Sequence, residues 1–206
     1  MAQVSMLPRV STYLASLPNG LDSYPQCQSK AEVGLVLRDR LMAAAGPAFE
    51  AMVSKQVLAS MDSSSWIPTT LVTAIHLAAR DAVFPSDDAL LTWAYEDAVA
   101  TYRRPAFRAL MLLMSPTLLV MGVAKRWSSF SRGTELRSTS STQEGNTRLI
   151  HLELTYPAHL FSNLELQIIG CGFRAALAAA SAKEPTVSAL ESGNTSTVFT
   201  ARWTAA

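Results

Sequence analysis

Apolar positions recur at helical spacing through roughly the first 130 residues, then alternate with a period of two through most of the remaining chain. Val33, Val36, Leu37 and Leu41 form one helical stripe, ended by Gly46-Pro47. Ser29 with Glu32 three residues on reads as a capping box at its start. Phe49, Met52, Val53, Val57 and Leu58 predict a second helix from Pro47 to about Met61. Pro68 opens a third, reaching about Val83 before Phe84-Pro85 stops it. Ser86-Asp87-Asp88 then sets a cap and two carboxylates at the N-terminus of a fourth, where the helix dipole favours them. Leu90, Leu91, Ala94, Tyr95, Ala98 and Tyr102 lie along it. A fifth helical segment is expected over 105–130, bent or broken near Pro116.

After Gly133 the period changes. Residues 134–140 and 147–156 predict two strands about the turn Glu144-Gly145-Asn146. In the second, Ile150, Leu152, Leu154 and Tyr156 share one face, and His151, Glu153 and Thr155 the other. A sixth helix is expected over 161–181, with alanines behind its apolar face. A closing hairpin over 186–190 and 197–203 turns at Ser192-Gly193-Asn194. A helical N-terminal half followed by a small antiparallel sheet with a crossing helix is an α+β fold. Residues 1–28, punctuated by Pro8, Pro18, Gly20 and Pro25, read as an N-terminal arm, and 29–206 as a single α+β domain.

Composition narrows the picture. In 206 residues, 49% are hydrophobic and 16% charged, enough to bury a sizeable core. Lys plus Arg is 17 against 16 for Asp plus Glu, so the field that draws nucleic acid or an acidic membrane is missing, and no nucleic-acid partner is expected. The most apolar run, 109–124, is interrupted by Pro116 and short of the roughly 20 residues a span needs, so no membrane span is expected. Cys27 and Cys171 make neither a disulfide framework nor a zinc site. With an N-terminus lacking a basic stretch ahead of an apolar one, the expected compartment is the cytoplasm.

Candidate chemistry is sparse. There is no phosphate loop, dinucleotide fingerprint, nucleophile elbow, HExxH or CxxC. His76 falls mid-helix and reads as a core or boundary histidine, His151 as a cross-strand residue on a polar face, and His159 as a loop residue. No metal site, cofactor or enzyme activity is expected from such scattered groups. Cys171, between Gly170 and Gly172, reads as a buried, inert thiol where the backbone packs closely. Met111, Met114 and Met121 surround Pro116, and methionine either fills a plain core helix or lines an adaptable apolar pocket. In the pocket reading Phe107, Met111, Met114, Met121 and Trp127 give shape, and Arg103 or Arg104 meets a ligand's anionic end.

The order of motifs also resembles a large paralogous family of myxobacterial proteins. The resemblance rests on Leu21-Asp22-Ser23-Tyr24-Pro25 before Lys30-Ala31, the junction Tyr102 to Phe107, Trp127, Tyr156-Pro157, Gly170, and Phe199-Thr200-Ala201-Arg202-Trp203, and covers roughly 20–203. That family is distantly similar to the V4R, haem-NO-binding and TRAPP Bet3-like domains. The resemblance implies a non-catalytic bacterial sensory domain holding a small hydrophobic ligand between helices and sheet. The alternative it admits is a dimeric protein-interaction scaffold without a small ligand, and the second alternative a haem-based gas sensor. It also implies a homodimer. Haem-binding relatives use a histidine in the helix before the sheet and a Tyr-x-Ser-x-Arg clamp. Here residues 115–131 contain no histidine, and Tyr156-Pro157-Ala158-His159-Leu160 lacks both Ser and Arg. Metal-binding V4R domains cluster cysteines near the closing hairpin, and 191–197 has none.

Overall fold

The computed structural model describes residues 7–52, 66–105, 114–191 and 193–204. It is α+β, with six α-helices and seven strands among these residues. The chain divides into two compact units. The first comprises Met1–Leu90, Phe130–Gly133 and His159–Ser162. The second comprises Leu91–Ser129, Thr134–Ala158 and Asn163–Ala206.

The first unit holds α1 (Pro8–Ser16), β1 (Gln28–Lys30), α2 (Glu32–Met52), β2 (Trp66–Pro68), α3 (Thr69–Ala82) and β3 (Ser131–Arg132). Both α1 and α2 pack on α3, which is buried continuously from Thr69 to Ala79. The N-terminal segment is part of this packing: Val10 and Tyr13 are buried, and the Tyr13 hydroxyl donates to the Leu160 carbonyl at 2.7 Å. Ser29 is not a helix cap. It lies mid-strand in β1, facing Ile67 on β2 and Ser131 on β3, with its Oγ 2.9 Å from Thr69 Oγ1. Gly46-Pro47 kinks α2 instead of ending it: Ala45 alone leaves helical geometry (φ −145°, ψ 32°) and the helix resumes. The expected helix beyond Met52, and residues 106–113 of the fifth segment, lie outside the described residues.

Helix α4 (Asp87–Tyr102) starts in the first unit and continues into the second. There it is followed by α5 (Pro116–Arg126), β4 (Glu135–Glu144), β5 (Thr147–Thr155), α6 (Asn163–Ala179), β6 (Lys183–Glu191) and β7 (Ser196–Thr204). Helix α5 starts at Pro116, where Ser115 Oγ accepts the Leu118 N–H at 3.3 Å. The strands form an antiparallel sheet in the order β4-β5-β7-β6. Register pairs Ile150 with Ala201, Leu152 with Phe199 and Leu154 with Thr197, all buried, so the predicted alternation builds one wall of a core. Helix α6 covers that wall, packing on β6 and β7. A Cβ on Gly170 would meet Val187 and Phe199 at 3.7–3.8 Å, an ordinary contact, and one on Gly172 would meet nothing within 4 Å. The close approach expected at these glycines is therefore not what the packing requires.

Candidate functional site

Within the second unit, both ends of α5 meet α6. At its N-terminal side, Leu119 packs with Ala176 and Ala180, and Tyr102, Met114 and Ala179 close round them. The alanine run on α6 gives this face almost no side-chain bulk, and the flexible thioether of Met114 lies across it. A Cβ on Gly122 would lie 3.6 Å from the Met114 methyl, so the methionine also rests along a bare stretch of α5. Tyr102 contributes the polar group, and burial pushes its phenol above its ordinary pKa, keeping it a neutral hydroxyl. At the C-terminal side, Trp127 donates through Nε1 to Thr134 Oγ1 at 2.9 Å. Its ring stands 6.2 Å from Phe173, which in turn meets Phe199 edge-on at 5.1 Å. The result is a packed apolar cluster containing one phenol at the N-terminal side of α5, and a chain of aromatic rings at the other.

Of the residues expected to line a pocket, Met114 and Trp127 both meet α6, at opposite ends of α5. Met121 is 53% exposed: with Leu119 and Val120 turned inward, helical geometry carries 118, 121 and 125 to the opposite side. Arg103 and Arg104 are exposed at the end of α4, next to the inward-turned Tyr102. Phe107 and Met111 lie outside the described residues. Periodicity alone does not mark Tyr102 or the alanines as site residues, although the run Ala178-Ala179-Ala180 is a signal in the sequence.

The other chemistry stays dispersed. Cys171 is half-buried with its Sγ 3.6 Å from the Leu91 carbonyl; burial pushes its thiol up despite the Arg174 charge. Cys27 is buried against the Gly133 carbonyl at 3.4 Å, and burial raises it too. His76 is buried in α3, and His151 bonds Thr200 Oγ1 at 3.0 Å through Nδ1. Among the described residues, no group of three or more His, Cys, Asp or Glu is placed to hold a metal. The helix before the sheet and the buried strand face present no axial ligand for a haem among the described residues. Residues 115–131 offer no histidine, cysteine or tyrosine, His151 sits on the strand face away from the buried Ile150 and Leu152, and Tyr156 is committed to Thr197 Oγ1 at 2.7 Å.

A solved structure, that of an H-NOX protein from S. oneidensis in the Fe(II)NO ligation state, is similar to this chain. It has a TM-score of 0.49 and 13% identity, covering 83% of this chain and 97% of that one. No protein-family profile and no curated protein matches. No helix among the described residues is long and apolar enough to cross a membrane.

Proposed function

We propose that this chain is a non-catalytic sensory domain whose second unit holds a small hydrophobic ligand. The carrying observation is the convergence of Met114 and Tyr102 on an alanine-lined face of α6. Small residues keep this face low, and the adaptable side chain of Met114 is the group a ligand displaces on entering. Arg103 and Arg104, exposed next to Tyr102, suit a ligand with an anionic end. The compartment fitting this reading is the cytoplasm. Native mass spectrometry of the purified protein tests it: a discrete extra mass of a few hundred daltons is expected, reduced or lost in Ala179→Leu. Clean apo mass together with no saturable uptake of a flat apolar anion such as anilinonaphthalene sulfonate would sink it.

A second reading, a dimeric interaction scaffold without a ligand, is favoured by Leu118 and Met121, exposed at 59% and 53% on one side of α5. Light scattering separates the two: a dimer that dissociates in Leu118→Glu supports the scaffold, and a monomer at all concentrations removes it.

A further inference from the structure

The small sheet of the first unit has two chemically distinct faces. Ser29, Ile67 and Ser131 stand in register on one, where Ile67 and Ser131 are each 4% exposed. The alternate positions Gln28, Lys30, Trp66 and Arg132 therefore share the other. Lys30 is the register partner of Trp66, and its Nζ lies 4.4 Å from the indole centroid. Arg132 Cζ lies 3.8 Å from the same centroid, and its Nη1 donates to Gln28 Oε1 at 3.4 Å. Phe130, whose carbonyl accepts the Lys30 N–H, is 52% exposed beside them.

An indole under a guanidinium fixes the plane of its donor fork without neutralising the charge, so Arg132 is oriented yet still fully cationic on an exposed surface. We propose that Trp66, Lys30, Arg132 and Phe130 form a docking patch for an acidic segment of a partner protein. Carboxylates of that segment engage the two cations, and an apolar side chain covers Phe130. Charge complementarity selects the partner's sign. Polyphosphate chains are the poorer match, because they are held by a track of cations and the whole chain carries a net charge of only +1. Tryptophan, phenylalanine and arginine together are the residue types that concentrate binding energy where proteins meet.

Fluorescence anisotropy with a labelled peptide of alternating Glu and Leu tests the patch, with the Gln-for-Glu peptide and oligothymidylate as comparisons. Saturable, salt-sensitive binding of the Glu peptide is expected, weakened about tenfold by Arg132→Gln. Trp66→Leu, which keeps both charges and removes their platform, is expected to weaken it several-fold. Thermal melts of each variant identify loss of fold, so either variant alone suffices. Absence of Glu-peptide binding to the wild type, equal binding by the Gln peptide, or unchanged affinity in a folded variant overturns the proposal. Tighter binding of oligothymidylate, or self-association abolished by Arg132→Gln, overturns it as well, by naming a different occupant.

Discussion

Gly133 and Gly145 share a left-handed backbone, at φ +73° and +57°, yet they differ sharply in what surrounds them. A Cβ on Gly133 would stand 2.6 Å from the Gln26 carbonyl oxygen and 2.8 Å from Cys27 Sγ, whereas one on Gly145 would meet nothing within 4 Å. Gly145→Ala is therefore expected to cost about 1 kcal/mol of backbone strain alone. Gly133→Ala adds a collision with backbone and should cost at least about 3 kcal/mol, as urea denaturation of the pair will show. Asp87 supplies a pH prediction. Burial opposes its charge, but the hydrogen bonds and charges of Arg80 and Arg9 prevail and lower its pKa. A carboxylate with a lowered folded pKa adds stability above its unfolded value, near 4, and loses it as pH falls through the folded one. With side chains 39% and 44% exposed at the Arg9–Asp87 pair, Asp87→Asn should cost about 0.5–1 kcal/mol at pH 7. That difference should shrink in melts as the pH is taken progressively below 4. The turn at Gly145 is legible in the sequence, but the crowding at Gly133 and the Arg9–Asp87 pairing are not, because each depends on residues far apart in the chain.

Elements were legible where the signal is local. Strand β5 and strand β7 alternate cleanly, and the structure pairs Leu152 with Phe199 at the middle of the buried face. Truncating the fully buried Phe199 to Ala should cost about 3–5 kcal/mol in chemical denaturation. Strand β4 runs four residues beyond its expected end, through a Ser/Thr-rich stretch that lies exposed on the sheet's edge. An edge strand with Leu136 as its buried residue has almost no alternation to read. The Ser29 capping box failed for a different reason: a three-residue strand paired with residues 67 and 131 has too few positions to display a period. Periodicity singles out the Met-rich segment, but alone it does not place Met114 against α6 while turning Met121 outward. Ser115→Ala, which removes the cap of α5, should lower stability by about 1 kcal/mol and loosen the Met114 end first, a difference hydrogen exchange can resolve.

At the scale of the whole molecule, the first unit is discontinuous in sequence. Strand β1 takes one neighbour from residues 66–68 and the other from 131–132. Tyr13 and Thr73 both donate to the carbonyl of Leu160. An isolated fragment ending at Leu90 thus lacks β3 and deprives two buried hydroxyls of this acceptor. It should show reduced helicity and no cooperative melt by circular dichroism. The same layout imposes a schedule on synthesis. Nascent chains grow at about 5–20 residues per second, so for several seconds after Leu90 is made, the strand β3 and the Leu160 carbonyl do not yet exist. Throughout that interval the ribosome-bound N-terminal half has its helices but not the pieces that close them. Of the two units, the one begun earlier has to wait, exposed to chaperones, until Leu160 has been added.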